Sequence, residues 1–374
     1  MNKSRVRIET NFFIYLFTLI SILIPSLAKK NTSNLYKKIS KFLHTKNILF
    51  TGMGRVAAYN IFKFLINKNK NEIILSPYTL KEIIFAIKYA GGKPIFVDID
   101  IVTGLPKIRD VKKSINKRTA AILITHLYSD SNQITKFINK FSGKVKIIED
   151  TAINFGASIN KFRKLGTLAD YGFFSLGTMK NFMAFNGGIL FCKNKNDFKK
   201  IKLELINNKS YSYILAFKKI FLALCIDIFY NKYLFNFFTY YILLLFQKSN
   251  IKFHEKIIYP GLNYKKKKTL PSHYRYNFFE PFSYAALTNL GKINYELKNK
   301  ISKVKYYQKN LKKNFIKSKY KNFHSNAFLE YPILVNNKYE LCKEFLNKGF
   351  DLRHTWYLNN SLKKKYPNSQ FLEE

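Results

Sequence analysis

An aspartate and a lysine each follow an apolar stretch that predicts a buried strand. Asp150 follows residues 146–149, and Lys180 lies five residues beyond Ser175, which ends the stretch 172–175. An acid at a strand end can bind a metal, act as a base or pair with a cofactor nitrogen. A buried lysine loses its charge more easily and becomes a nucleophilic amine. Together they are the two groups that a pyridoxal phosphate (PLP) site requires: an amine for the aldehyde and a carboxylate for the pyridinium nitrogen.

A third element is the small-residue turn Thr51-Gly52-Met53-Gly54-Arg55, which lies between a strand-like stretch and a predicted helix. Small residues there leave backbone N–H groups accessible at the helix N-terminus, where a phosphate binds well. An ordinary tight turn has the same composition, so the turn alone leaves both interpretations open.

The elements that must position these residues recur regularly along the chain. The starts of seven short apolar stretches lie 25, 22, 27, 25, 26 and 16 residues apart, and the intervening residues carry helical apolar spacing. This alternation predicts a mostly parallel α/β sheet, with ligands at the carboxyl ends of its strands. The last interval is too short for a full crossover, so we expect the final strand to join differently. The stretches are residues 47–50, 72–75, 94–97, 121–124, 146–149, 172–175 and 188–191.

Two apolar segments lie outside this pattern. The first 28 residues place Lys3, Arg5 and Arg7 before an apolar run at 12–24, which is compatible with a packed or interfacial helix and with a signal or a membrane span. Residues 211–246 are rich in Tyr and Phe and are interrupted by Lys218-Lys219 and Asn231-Lys232. They predict either a pair of buried helices or a hairpin that dips into a membrane.

The order and spacing of the motifs resemble those of the DegT/DnrJ/EryC1/StrS family of PLP-dependent sugar aminotransferases. The resemblance covers residues 47–200 and 270–356. It is carried by the acid at Asp150, the Gly-Thr-x-x-Asp motif at 166–170, the Phe-Ser pair at 174–175, Lys180, and the double glycine at 187–188. It implies the PLP fold type I aminotransferase architecture, with a seven-stranded mostly parallel sheet, a smaller C-terminal α/β domain and an apolar helical insertion.

The resemblance also implies roles for individual residues. Lys180 would form the Schiff base with PLP and then move the proton, and Asp150 would pair with the pyridine nitrogen. Ser175 and the backbone of Gly54 and Arg55 would hold the phosphate. The two remaining cofactor contacts are expected to be Tyr78, over the ring, and Arg275, which would reach the phosphate of a partner subunit in a homodimer. No metal is expected.

The sequence departs from the family at several of these places. Ile153 stands where the family often has Gln, Met53 and Arg55 replace the usual phosphate-turn residues, and the Pro-Tyr-Thr segment around Tyr78 is one residue shorter. We therefore expect a divergent member. The predicted division is an N-terminal segment 1–46, a PLP domain 47–200, an apolar helical insertion 201–262 and a C-terminal domain 263–374, the last expected to be incomplete.

The charge of the chain bears on the class of partner. The 65 basic and 22 acidic residues give a net charge of +43, but only eight of the basic residues are Arg, which disfavours a nucleic-acid binder. The resemblance favours a cytoplasmic aminotransferase that uses glutamate and a nucleotide-linked keto sugar in surface polysaccharide or lipopolysaccharide synthesis, with peripheral contact to the inner face of the plasma membrane left open. The alternatives are a sugar dehydratase, against which Lys180 argues, and a membrane-associated binding or regulatory protein that kept the fold but lost turnover.

Overall fold

The computed structural model describes residues 1–6, 8, 10–160, 162–248, 268–311, 320–352 and 366. Its centre is a seven-stranded sheet whose strands match the seven predicted stretches to within two residues at each end, which confirms the predicted α/β class. Continuous apolar runs mark these strands because helices cover both faces of the sheet. The strands are β1 (Ile48–Thr51), β2 (Glu72–Leu75), β3 (Lys93–Phe96), β4 (Thr119–Thr125), β5 (Lys146–Asp150), β6 (Tyr171–Ser175) and β7 (Gly188–Cys192).

The strand order is β1-β7-β6-β5-β4-β2-β3. Strands β2 to β6 pair in parallel, whereas β7 runs antiparallel to both β1 and β6. The short interval before the last strand therefore reflects a reversal of direction rather than a crossover. The carboxyl ends of β4, β5 and β6 meet at one edge of the sheet, and this edge carries the predicted site.

Helices connect the strands and form a second layer beyond them. Helix α6 begins with a capping box in which the side chains of Asp130 and Gln133 bond to each other's backbone N–H groups. The connecting helices are α3 (Gly54–Leu65), α4 (Lys81–Tyr89), α5 (Ile108–Ser114), α6 (Ser131–Phe141) and α7 (Lys195–Ile206). The outer helices are α1 (Phe12–Leu23), α2 (Pro25–Leu43), α8 (Tyr213–Phe229), α9 (Lys232–Leu234), α10 (Tyr240–Lys248), α11 (Ser283–Asn310) and α12 (Lys338–Asn347).

The N-terminal helices pack on the body of the molecule. Buried residues of α1, α2, α8 and α11 share one apolar cluster with β1, β7 and the loop between β6 and β7. No single helix in the described part of the chain is both apolar and long enough to cross a bilayer, and α1 and α2 reach that length only as a pair bent by 119°. The Tyr- and Phe-rich segment is helical, with a π-helical turn at Phe235–Thr239 between α9 and α10. The boundary predicted between residues 262 and 263 lies outside the described residues.

Candidate active site

Asp150 is the last residue of β5, paired in register with Thr125 of β4 and Phe173 of β6. Its side chain is 4% exposed, and its Oδ1 accepts a 3.0 Å hydrogen bond from the backbone N–H of Ala152. Burial raises the pKa of this carboxyl from 3.8 to about 6, and the Ala152 N–H and the charge of Lys180 offset part of that rise. Asp150 is thus a buried carboxylate that a cation close to it would stabilise.

Lys180 lies in the loop 176–187 that joins β6 to β7. The loop is closed by a 3.0 Å hydrogen bond from the Leu176 N–H to the Gly187 carbonyl, and the Lys180 N–H donates to the Gly177 carbonyl at 3.0 Å. Phe185, buried in the same loop, has a φ of 60°, in the left-handed region that a bulky residue rarely adopts. Lys180 is half-buried and close enough to lower the pKa of Asp150, so the structure brings these two predicted residues to one side of the sheet.

Ser175 and Gly54 lie against one another where β6 ends and α3 begins. A Cβ built on Gly54 would lie 2.9 Å from the Ser175 Cβ and 3.1 Å from the Phe174 carbonyl oxygen, so only glycine fits there without displacement. Met53 precedes the helix and provides no side-chain cap. The start of α3 therefore lies against the end of β6, and Met53 leaves its first N–H groups without a side-chain cap, so they are available to a phosphate.

The side chain of Arg55 lies near charged groups of α4 and α8. Its Nη1 lies 3.9 Å from Oε1 of Glu82, and its charge, after burial, contributes to the lowered pKa of the half-buried Lys219 ammonium of α8. The insertion therefore reaches the neighbourhood of the turn through Lys219.

Tyr78 is buried in a small apolar cluster beyond the ends of β2 and β4. Ile99, Leu127 and Tyr128 form the cluster with it, and the partly buried Ile153 packs against it. Ile153, which replaces the family's Gln, thus takes part in apolar packing three residues after Asp150. The role of Tyr78 over a cofactor ring stays a prediction.

Arg275 lies on a short 3₁₀ helix, Ser272–Arg275, and its side chain is exposed. The neighbouring Tyr274 is fully buried against the rings of Tyr59 and Tyr89. Within one chain it is the Tyr276 carbonyl, not Arg275, that contacts the phosphate turn, since it accepts a 3.0 Å hydrogen bond from the Gly52 N–H. A contact between Arg275 and the phosphate of a second subunit stays a prediction.

Sequence reasoning did not assign a role to Glu149, the fully buried neighbour of Asp150. Its carboxylate accepts hydrogen bonds from the N–H groups of Gly166, Leu168 and Ala169 at 2.7–2.9 Å. It also lies 2.8 Å from Nε2 of His126, which is buried. Glu149 therefore fixes the Gly-Thr-x-x-Asp segment and His126 to the strand that carries Asp150.

Two asparagines and a distant lysine also hold the site together. Asn181 donates to the Ile153 carbonyl at 2.7 Å and accepts from Nζ of Lys300, on α11, at 2.5 Å. Asn154 donates to the His126 carbonyl at 2.6 Å and accepts from the Ala327 N–H at 2.9 Å. In the sequence, the role of Asn181 could have been suspected only because it follows Lys180 directly. Nothing local in the sequence indicates Lys300.

The residues present fit PLP. No described side chain donates a hydrogen bond to the buried Asp150 carboxylate, so a protonated ring nitrogen would supply the missing donor. The close contact at Gly54 brings the start of α3 against Ser175, and a larger residue would push the two apart. Lys180, Asp150, Ser175 and the first N–H groups of α3 are the residues that would hold the cofactor.

Comparison with known proteins identifies the same family that the sequence motifs resemble. The model of the DegT/DnrJ/EryC1/StrS aminotransferase family matches residues 27–214, half of the chain. The chain belongs to this family. It is 30% identical over 161 residues to the GDP-perosamine synthase of Escherichia coli O157:H7, covering 42% of this chain and 43% of that protein. The chain spans less than half the length of the curated relatives that it matches first.

Solved structures confirm the fold. An aminotransferase of Helicobacter pylori involved in pseudaminic acid biosynthesis, PseC, matches with a TM-score of 0.65 at 16% identity, covering 100% of this chain and 92% of that one. The E. coli GDP-4-keto-6-deoxy-D-mannose-3-dehydratase with bound hydrated PLP matches with a TM-score of 0.69 at 15% identity, covering 100% and 93%. These findings confirm the predicted family and fold class and, at the level of the family, PLP as the cofactor.

Proposed function

We propose that this chain is a PLP-dependent aminotransferase that moves an amino group from glutamate to a keto sugar carried on a nucleotide. The proposal depends mainly on one observation. The half-buried Lys180 lies close enough to the buried Asp150, at the carboxyl ends of the strands, for its charge to lower the pKa of that carboxyl. Family membership and the resemblance to a GDP-perosamine synthase support a nucleotide sugar as the acceptor class. Glutamate as the donor rests on the family resemblance alone.

In this proposal each site residue has a defined task. PLP, when bound, supplies an electron sink for charge that develops on the substrate carbon. Lys180 would hold the cofactor through Nζ, and the same amine, when neutral, takes a proton from that carbon and returns it. Asp150 keeps a negative charge opposite the ring nitrogen. Because Asp150 is buried, this charge is little screened by water.

The phosphate would be bound by the Ser175 hydroxyl and the backbone N–H groups of Gly54 and Arg55. Tyr78 would cover the ring from the cluster that it shares with Ile153. Arg275 would approach the phosphate of the other subunit in a homodimer, which accounts for its exposure within one chain. The net charge of +43 favours the capture of diphosphate-bearing substrates. We place the reaction on the cytoplasmic side, in surface polysaccharide or lipopolysaccharide synthesis.

The test is a purified chain incubated with PLP and treated with borohydride. We expect visible absorbance before reduction, a pyridoxyl group on Lys180 in peptide mass spectra, and loss of the absorbance when glutamate is added. Lys180→Ala should lower amino transfer by roughly a thousandfold or more. Lys164→Ala is the matched control, because Lys164 is also half-buried but lies over the ring of Phe42, at 4.6 Å from its centroid. Labelling of a lysine other than Lys180 would contradict the proposal.

A second candidate function follows from the departures around the site. The replacement of Gln by Ile153 removes an amide near Asp150, and Ile153 packs instead into the cluster of Tyr78. A binding or regulatory protein that retains PLP would tolerate this change. A chain that is labelled at Lys180 but exchanges no amino group with glutamate, in the presence of any nucleotide-linked keto sugar tried, supports this second function over the first.

A further inference from the structure

Apolar side chains are exposed on three helical segments outside the sheet: α1, α8 and residues 232–248. We call these exposed side chains together the apolar face. Typical members are Phe13, Ile214, Phe221, Phe237 and Leu245, which are 60–80% exposed. Single exposed apolar residues are common on proteins, but a group of this size on adjoining helices marks an interaction surface.

Specific contacts join the three segments. The Thr10 hydroxyl, just before α1, donates to Oδ2 of Asp227 of α8 at 2.7 Å. The backbone N–H of Asn2 donates to Oδ1 of Asn236 in the π-helical turn at 2.6 Å. The Thr239 hydroxyl donates to the Phe229 carbonyl at the end of α8. These contacts hold the three segments next to one another, although they are distant in sequence.

Helix α8 already has a packed side. Its buried residues, Ala216, Ile220, Ala223 and Ile226, belong to the cluster shared with α1 and the loop that carries Lys180. The exposed residues Ile214, Phe217 and Phe221, continued by Leu224 and Ile228, follow helical spacing on another side. This stripe faces outward from a helix that has satisfied its core contacts, so it is available to a partner.

Charge distinguishes between the candidate partners. Within the described parts of the three segments the one acidic residue is Asp227, and its carboxylate accepts the Thr10 hydrogen bond. Exposed lysines lie within and next to these segments: Lys218 in α8, Lys232 at the start of α9, and Lys29 and Lys30 in the second turn of α2. A second copy packed on this face would bring the same lysines against these, whereas an anionic surface would be attracted to them.

We propose that the apolar face docks this chain onto the surface of a bilayer that contains anionic phospholipids. The exposed Phe, Leu and Ile side chains enter the boundary between headgroups and acyl chains, the Tyr hydroxyls stay at headgroup level, and the lysines contact lipid phosphates. The docking lies in the plane of the surface and requires no spanning helix. It goes beyond the proposed catalytic function because none of the residues that would hold PLP takes part.

The test is flotation of the full chain with vesicles of phosphatidylcholine alone and of phosphatidylcholine mixed with phosphatidylglycerol. We expect the chain to float with the anionic vesicles, less with the neutral ones, and less again at high salt. The double variant Phe221→Asp/Leu245→Asp should lower binding to anionic vesicles roughly tenfold or more. Leu203→Asp is the matched control, since Leu203 of α7 is 64% exposed and Leu245 is 61% exposed.

The outcomes separate this proposal from the catalytic one. Circular dichroism should show the double variant folded, and Lys180→Ala should float like the unaltered chain whatever its activity. Equal flotation of the double variant and the Leu203→Asp control would overturn the proposal, as would failure of the unaltered chain to float with anionic vesicles. If light scattering shows that the double variant dissociates an oligomer while no variant binds vesicles, the apolar face is an interface between copies and the proposal is wrong.

Discussion

The carboxyl edge of the sheet and the apolar face depart from ordinary burial in opposite directions. At the sheet edge, carboxylates such as Glu149 and Asp150 are withdrawn from water. On the apolar face, side chains such as Phe237, 80% exposed, are left in it. A buried carboxylate and an exposed apolar side chain each cost free energy unless a partner compensates them. Within the described residues the chain itself supplies the partners of Glu149, whereas it gives the Asp150 carboxylate only the Ala152 N–H and leaves Phe237 exposed. The two proposals therefore assign different partners to the two regions, a cationic ring to Asp150 and lipid to the apolar face.

The largest effect on stability is expected when the charge of Glu149, at the carboxyl end of β5, is removed. Glu149→Gln turns one acceptor oxygen into a donor that faces backbone N–H groups or His126. We expect it to lower the free energy of unfolding by about 3–5 kcal/mol, measured by urea denaturation. Glu204→Gln, which loses a half-exposed pair with Lys63, is the control and should cost under about 1 kcal/mol. Similar losses in both variants would contradict the positioning role of Glu149.

Removing the charge of the adjacent Asp150 should have the opposite effect and raise the stability of the cofactor-free chain. In the cofactor-free chain the pKa of Asp150 is 3.8 when unfolded and about 6 when folded, so the unfolded state loses its proton first. Stability from this group is therefore present below pH 3.8 and is lost as the pH rises to about 6. Asp150→Asn should remove this loss and stabilise the cofactor-free chain at neutral pH by up to about 3 kcal/mol.

The measurement is urea denaturation of both chains at acidic and neutral pH, without PLP. The gain should shrink toward zero on the acidic side, and the same variant should bind PLP more weakly because the ring nitrogen has lost its counter-charge. A variant that is less stable at neutral pH would show that the Asp150 charge is already compensated by the chain itself.

The smallest effects on stability are expected from alanine substitutions at two glycines, one beside the sheet and one in an outer helix. Gly54→Ala places a Cβ 2.9 Å from the Ser175 Cβ at the sheet edge, and it should cost about 1–3 kcal/mol and weaken phosphate binding. Gly291→Ala, in the interior of α11, meets nothing within 4 Å and should stabilise the chain by up to about 1 kcal/mol. Melting temperatures should therefore move in opposite directions. A shift of the same sign in both would remove the contrast.

Local sequence was sufficient to predict the sheet and the placement of Asp150 and Lys180 on one side of it. Buried parallel strands appear as unbroken apolar runs, and Asp150 and Lys180 follow two of them, so their place at one edge could be predicted from the order of elements. The turn at Gly54 could be predicted as well, since a strand, small residues and a helix follow one another directly. The short last interval correctly indicated that β7 joins differently.

Residues that act through distant contacts could not be predicted in this way. Lys300 meets Asn181 across 119 positions, and Thr10 meets Asp227 across 217. No local pattern encodes such pairings, which depend on how α11 and α1 pack. For the same reason the sequence left the N-terminal apolar run open between a packed helix and a membrane segment. The parts assigned to Tyr78 and Arg275 remain predictions.

The reversal of β7 affects how well ordered the loop 176–187 is before a ligand binds. Because β7 returns alongside β6, the loop 176–187 leaves and re-enters the sheet at the same edge, and the bond between the Leu176 N–H and the Gly187 carbonyl ties its two ends together. The conformational entropy of this short loop is therefore lost when the chain folds. The backbone that carries Lys180 is thereby preorganised, so a ligand that reaches this residue would not have to order the loop first.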